Sequence, residues 1–93
     1  MSVAGGKMKV TRTATWQSPN TGATNTSGWA GLPGGNRVTS GSFYSIGSSG
    51  LWWSSTQDGA SNAWNRDLHY SGAYAFRNND GKASGFSVRC VRD

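Results

Sequence analysis

The sequence contains few acidic residues and no glutamate at all. Its four acids are Asp58, Asp67, Asp80 and Asp93, whereas nine residues are lysine or arginine, which gives a net charge of +5. Nucleic-acid-binding proteins usually concentrate positive charge on one surface patch. Here the cations are spread along the sequence, so the charge pattern argues against nucleic acid as the partner. The four aspartates also provide few candidates for a pair of catalytic carboxylates.

Cysteine and histidine are each present only once, as Cys90 and His69. A single cysteine cannot form a disulfide within the chain. One cysteine and one histidine cannot by themselves complete a structural zinc site. No nucleophile motif accompanies His69 in the sequence. We therefore expect no enzymatic activity, no metal centre and no cofactor.

Long apolar runs are also missing. No segment approaches the roughly 20 apolar residues that a membrane-spanning helix needs. The first ten residues contain lysines but no apolar core, so they do not resemble a signal peptide. The sequence therefore predicts no membrane insertion and does not identify a compartment.

Glycine and aromatic residues are abundant instead. The 93 residues include 14 Gly, five Trp, three Tyr and three Phe, although the hydrophobic content is only 34%. Glycine disfavours helices, and aromatic side chains bury large areas, so a few of them can hold a small core together. The length fits one domain. We predict a single mostly β domain over residues 1–93, with an antiparallel sheet and long Gly/Ser/Asn-rich loops.

Alternation of apolar and polar residues, broken by polar turns, indicates the strands. Four segments show this pattern and are expected to form one antiparallel sheet: 51–56, 63–70, 73–77 and 85–91. Ser71 and Gly72 would turn the second segment into the third, and Pro33-Gly34 upstream fits a type II turn. The side chains predicted to be buried are one of Trp52 and Trp53, together with Leu68, Phe86, Val88 and Cys90.

Three aromatic- and glycine-containing blocks occur in fixed order. They read LPGG at 32–35, LWWSST at 51–56 and GFSVRCVR at 85–92. From about Ala4 to its end, the chain resembles the C-terminal part of the Fibrobacter succinogenes major paralogous domain family. The resemblance implies a C-type-lectin-like fold of the α+β family. Formylglycine-generating enzymes and the variable proteins of diversity-generating retroelements share that fold.

The resemblance also implies that the family's N-terminal segment, which carries helices ahead of the position of Ala4, is missing here. The chain would then be a truncated version of the fold, which either closes as a minimal domain or has the exposed part of its core covered by another chain. Since an uncovered apolar face is an association site, we expect a homo-oligomer, most simply a symmetric dimer. By analogy with the family, the domain would act outside the cell or at its surface.

The functional motifs of the resembled proteins are incomplete here. Calcium-dependent lectins resemble one another in a Glu-Pro-Asn or Gln-Pro-Asp loop, which this sequence lacks. They also share a Trp-Asn-Asp segment, to which WNRD at 64–67 is similar only in part. Formylglycine-generating enzymes rely on a reactive cysteine pair, whereas Cys90 has no second cysteine. The implied function is therefore ligand binding without catalysis and without calcium.

Retroelement variable proteins place their variable positions on the late strands and turns of this fold, which correspond here to 57–60, 65–74 and 78–84. Their Asn, Asp, Tyr, Ser and Gly content resembles that of antibody contact loops. We expect a lectin-like module that recognises a carbohydrate or a protein surface. The alternatives are a structural self-assembly module and, third, a module that binds nucleic acid or another polyanion. The predicted ligand-binding residues are Asn65, Asp67, His69, Tyr70, Tyr74, Asn78, Asn79 and Asp80.

Overall fold

Three antiparallel strands form the main sheet, and two very short strands form a second one. The structure is a computed structural model that describes residues 3–11 and 15–90. The elements, in chain order, are α1 (Ala4–Met8), β1 (Asn36–Arg37), β2 (Phe43–Tyr44), β3 (Ser49–Asp58), β4 (Asn62–His69) and β5 (Phe76–Gly81). β4 lies between β3 and β5, and β1 pairs with β2. The prediction of a mostly β domain with antiparallel sheets is confirmed.

β3 and β4 form a hairpin where two of the four strands were predicted. Asp58 pairs with Asn62, so a short turn over 59–61 connects the strands. Gly59 has a φ of +81° in this turn, a conformation that glycine adopts without steric cost. The pairing register shifts between Trp53 and Gln57, which marks an irregularity in the middle of β3.

The connection between β4 and β5 is longer than the predicted hairpin at Ser71 and Gly72. β5 begins at Phe76, so the predicted boundaries of 73–77 are wrong. The backbone of the connection hydrogen-bonds to the N-terminal part of the chain instead of continuing the sheet. The amide of Thr21 donates to the carbonyl of Tyr70 at 2.8 Å, and the amide of Gly6 donates to that of Ala73 at 3.0 Å.

The helix α1 forms in a segment whose composition argues against helices. Its second and third residues are Gly5 and Gly6, and both are buried. A Cβ atom on Gly5 would lie 2.0 Å from the carbonyl oxygen of Tyr74, and one on Gly6 would lie 2.1 Å from that of Gly22. The close backbone contacts therefore require glycine at both positions, and tertiary contacts override the low helix propensity.

Lys9 is completely buried directly after α1. Its ammonium group donates hydrogen bonds to the carbonyl oxygens of Thr21, His69 and Gly72 at 2.8, 2.8 and 2.9 Å. Burial lowers the pKa of Lys9. The three bonds use the full donor capacity of the ammonium group and tie the N-terminal segment to the end of β4.

The core is small and lies between the N-terminal segment and the main sheet. Its buried hydrophobic residues are Val10, Trp16, Leu68 and Ala75, with Trp29, Trp52 and others packed against them. The indole nitrogen of Trp16 donates to the carbonyl oxygen of Gly31 at 2.9 Å. The predicted burial of Leu68 is confirmed. One of Trp52 and Trp53 was also predicted to be buried, but both are only half-buried, and Trp52 packs against the core.

The segment from Gly85 onward was predicted to be a buried antiparallel strand, and this is wrong for the described residues 85–90. Gly85 forms an antiparallel bridge with Arg37, and Ser87 forms a parallel bridge with Trp52. These isolated bridges join the two sheets but do not continue as a strand. Residue 91 lies outside the described residues.

The side chains of this closing segment are therefore less buried than predicted. Phe86 is half-buried and packs on Trp53, with ring centroids 4.2 Å apart. Val88 is 74% exposed, and Cys90 is a free, exposed thiol. Both were predicted to be buried, but the segment runs along the edge of β3, and none of the described strands lies on its outer side to cover them.

The LPGG corner has a different turn from the predicted one. A type II turn would place a positive φ at Gly34, but the positive φ, +68°, is at Gly35. A Cβ atom on Gly35 would lie 2.2 Å from the carbonyl oxygen of Tyr44, so glycine is needed there for a second reason.

Candidate functional site: the polar face of β4 and β5

Polar side chains from β4 and β5 share one face of the main sheet, because alternate residues of a strand point to the same side. Asn65 pairs with Asn78, and Asp67 pairs with Phe76. Asp80 pairs with Ala63 two positions further along the strands. The polar face is defined here as Asn65, Asp67, His69, Phe76, Asn78 and Asp80. It brings together five of the eight predicted ligand-binding residues.

Two members of the polar face are buried, and each forms a hydrogen bond with an exposed member. Asn65 is 1% exposed and donates from Nδ2 to Oδ2 of Asp80 at 2.7 Å. Asp67 is 9% exposed and accepts at Oδ2 from Nδ2 of Asn78 at 2.9 Å. Asn65 and Asp67 were predicted to point outward, and this is wrong, because both lie on the central strand β4 with β3 and β5 on either side of them. They position Asn78 and Asp80 instead.

The buried pair also has unused hydrogen-bonding capacity. Oδ1 of Asn65 and Oδ1 of Asp67 are buried and have no hydrogen-bond partner among the described residues. Burial raises the pKa of Asp67, while the charge of His69 and the hydrogen bond from Asn78 lower it, and the charge of Asp80 raises it further. Burial is the largest of these effects, so the pKa of Asp67 lies above its usual value.

Aromatic rings border the polar face at its Phe76 end. The rings of His69 and Phe76 meet edge to face at 5.0 Å, and those of Phe76 and Tyr74 meet edge to face at 5.6 Å. Tyr74 is 51% exposed and Phe76 is 40% exposed. Nδ1 of His69 lies 3.0 Å from Oγ of Ser49. Phe76 was not among the predicted residues, although its position two residues before Asn78 places it on the same face.

Three predicted residues are not members of the polar face. Asn79 points to the opposite side of the sheet, where its Nδ2 donates to Oδ2 of Asp58. Tyr70 lies in the connection after β4 and packs partly buried against the core. Tyr74, in the same connection, joins the site only through its ring contact with Phe76.

The described residues contain no group of three or more His, Cys, Asp or Glu side chains that could hold a metal ion. Within the same residues, no helix is long and apolar enough to span a membrane. The chemistry that the site offers is hydrogen bonding through one exposed carboxylate and one exposed amide, next to exposed aromatic rings.

Comparison with known proteins identifies one family. The model of the Fibrobacter succinogenes major domain matches residues 1–92. No curated protein and no solved structure matches the chain.

Proposed function

This chain belongs to the Fibrobacter succinogenes major domain family, and we propose that it is a non-catalytic, lectin-like module that binds carbohydrate through the polar face. We further propose that its fold is the C-type-lectin-like one. One observation supports binding: buried polar side chains hydrogen-bond to exposed ones, and the exposed aromatic rings of Tyr74 and Phe76 lie beside them. Binding sites typically combine apolar and aromatic surface with a few well-placed polar groups.

The chemistry of the exposed groups suits a saccharide. The Asp80 carboxylate accepts hydrogen bonds from hydroxyl groups, and the Asn78 amide can both donate and accept. Tyr74 and Phe76 provide rigid aromatic surface for the apolar face of a sugar ring. Asn65 and Asp67 already hold the two polar groups, so less conformational entropy is lost on binding.

A short saccharide fits the dimensions of the polar face better than a protein surface does. A stable protein interface buries about 800 Å² on each partner. The polar face consists of a few side chains on two strands, which is enough for one or two sugar rings. We therefore favour carbohydrate over a protein epitope.

A glycan array probed with the labelled full chain tests this proposal. Tyr74→Ala and Asp80→Ala should each abolish binding to whichever glycans the unmodified chain retains. Asn79→Ala is the matched control, because Asn79 is exposed on the same strand but points to the other side of the sheet. Absence of any glycan signal, or equal loss of binding in the control, would refute the proposal.

Self-assembly is the second candidate function, and a separate surface favours it. Leu32, Phe43, Tyr44 and Ile46 are all exposed, and Phe43 and Ile46 are among the most exposed apolar side chains. Exposed apolar residues close together often mark association sites. Light scattering should then show a dimer that Phe43→Ser with Ile46→Ser converts to a monomer. A monomeric unmodified chain at high concentration would exclude this function.

A further inference from the structure

Arginine and tryptophan side chains form a continuous band on the side of the main sheet opposite the polar face. The strand register places Trp52 on β3 beside Arg66 on β4, and Arg66 beside Arg77 on β5. Directly paired residues of antiparallel strands point to the same side. These three side chains therefore form a row across the whole sheet.

The row continues at both ends through aromatic contacts. The guanidinium of Arg77 lies 3.7 Å from the ring centroid of Trp64. At the other end, the rings of Trp52 and Trp29 meet edge to face at 4.7 Å, and the guanidinium of Arg89 lies 4.6 Å from the centroid of Trp29. The Arg–Trp band is defined as Trp29, Trp52, Trp64, Arg66, Arg77 and Arg89.

A groove of about 660 Å³ runs along part of this band. Trp29, Trp52, Arg66 and Arg89 line it together with apolar side chains such as Leu68, and none of its lining residues is acidic. The carboxylates of Asp67 and Asp80 lie on the opposite face of the sheet, and Asp58, which lies on the side of the band, bonds to Asn79 and does not line the groove. Arginines that are distant in sequence are thus gathered on one surface, and the groove contains positive charge without a compensating acid.

The arginines of the band keep donors available for an anion. Arg66 donates from Nη1 to the carbonyl oxygen of Ala75 at 3.4 Å, and Arg89 donates from Nη1 to that of Trp29. A guanidinium has five N–H donors in a planar fork, and this geometry matches a phosphate or a carboxylate. One contact to a carbonyl therefore leaves most of each guanidinium able to bind an anionic ligand.

We propose that the Arg–Trp band binds a single strand of nucleic acid, a function beyond that of the polar face. Single-strand-binding surfaces combine a positively charged groove with aromatic side chains on which bases stack. Guanidinium planes provide a further stacking surface for bases. A neutral sugar chain fits less well, because it offers no anionic group to Arg66 and Arg89, which line the groove.

Quenching of tryptophan fluorescence during titration with a 12-nucleotide oligo(dT) strand tests the proposal on the full chain. Oligo(dT) should quench the fluorescence, and raising the salt concentration should weaken binding. A single strand contributes a slope of about −0.7 per phosphate contact in a plot of log affinity against log salt. Three arginine contacts thus predict a slope of about −2.

The variant Arg66→Gln with Arg77→Gln should reduce affinity at least tenfold and leave a slope of about −0.7. Both side chains are exposed, so the variant should keep the unmodified melting temperature to within a few degrees. Arg37→Gln with Lys82→Gln removes the same charge from exposed residues outside the Arg–Trp band, and this variant should bind with nearly the affinity of the unmodified chain.

Several results would overturn the proposal. The first is the absence of quenching by oligo(dT), and the second is an equal loss of affinity in the two double variants. The third is a salt slope that Arg66→Gln with Arg77→Gln leaves unchanged. Binding of a heparin or polygalacturonate chain without binding of oligo(dT) would assign the band to acidic polysaccharide instead. Binding of an acidic peptide alone would assign it to a protein partner.

Discussion

The N-terminal part of the chain, up to Ser48, and the main sheet satisfy their backbone groups in different ways. In the main sheet, neighbouring strands provide the hydrogen bonds of the backbone. In the N-terminal part, backbone bonds between turns and loops are supplemented by bonds from buried side chains. Lys9 donates to three carbonyls, Trp16 donates to Gly31, and Asn20 donates from Nδ2 to the carbonyl of Val10 at 2.9 Å.

This difference predicts where the fold is sensitive to mutation. The hydrogen bonds between strands distribute stability over many weak, similar contacts. Most outward-pointing side chains of a strand can be replaced without loss of these backbone hydrogen bonds. A buried side chain that serves several carbonyls concentrates stability at one position, because unpaired buried polar groups are costly. Single substitutions in the N-terminal part should therefore cost more than substitutions on the exposed positions of the sheet.

Lys9→Met should have the largest effect of the substitutions considered. Methionine fills a similar volume, but it leaves the carbonyls of Thr21, His69 and Gly72 without their shared donor. We expect a loss of about 3–5 kcal/mol in the free energy of unfolding, since each unpaired buried group costs roughly 1–3 kcal/mol. Urea denaturation followed by tryptophan fluorescence measures this loss.

Lys7→Met is the matched control for this prediction. Lys7 is exposed in the same short helix, and substitutions at such positions usually change stability by less than about 0.5 kcal/mol. If the two variants proved equally stable, Lys9 would not be the central contact of the N-terminal part, and the contrast with the sheet would fail.

Close backbone packing around α1 leads to the second largest effect. In Gly5→Ala the new methyl group would meet the carbonyl of Tyr74 at 2.0 Å, and backbone cannot move aside as a flexible side chain can. We expect a destabilisation of about 1–3 kcal/mol, as for other overpacked sites. Gly81→Ala is the control in the sheet, because nothing lies within 4 Å of the added atom. A thermal melt that ranks Gly81→Ala below Gly5→Ala would contradict this account.

The sequence pattern predicts the sheet better than the N-terminal part, for a physical reason. Alternation and polar turns are local signals, and they locate β3 and β4 well. The start of β5 at Phe76 depends on distant bonds from Gly6 and Thr21, which leave no mark on the local sequence. Burial of Lys9 depends likewise on three carbonyls from distant parts of the chain, and a lone lysine in a polar segment does not reveal them.

The candidate site shows the same division between local and distant information. Alternation along β4 predicts that Asn65, Asp67 and His69 share one side, and the structure agrees, whereas Asn78 and Asp80 were expected in a turn and lie on β5 instead. It does not predict that the first two are buried, because burial depends on β3 and β5 flanking β4. The grouping of the Arg–Trp band is likewise hidden, since it depends on three strands and two loops.

Titration of Asp67 provides a smaller, pH-dependent test within the sheet. Because burial raises the pKa of Asp67 in the folded chain, the folded state binds this proton more tightly than the unfolded state does. The contribution of Asp67 to stability is then full at low pH and is lost as the pH rises through the folded pKa. Asp67→Asn removes this titration.

Relative to the unmodified chain, Asp67→Asn should therefore gain stability as the pH rises from about 3 to neutrality. Urea midpoints across this range measure the difference, and the acidic end is the internal reference, since Asp67 is protonated there in both states. A relative loss of stability with rising pH would show instead that the ionised carboxylate and its bond to Asn78 stabilise the fold.

Cys90 should show the smallest effect on stability, and its reactivity tests whether the closing segment is open. It lies on the rim of the groove beside Val88 and is exposed, so Cys90→Ser should change the free energy of unfolding by less than about 0.5 kcal/mol. A thiol reagent should label the folded chain nearly as fast as the urea-unfolded chain, because no covering strand has to open first.

Slow labelling that urea accelerates strongly would mean that another segment or a second copy covers this edge of β3 in solution. The groove along the Arg–Trp band would then be closed as well, since Cys90 and Val88 form part of its wall.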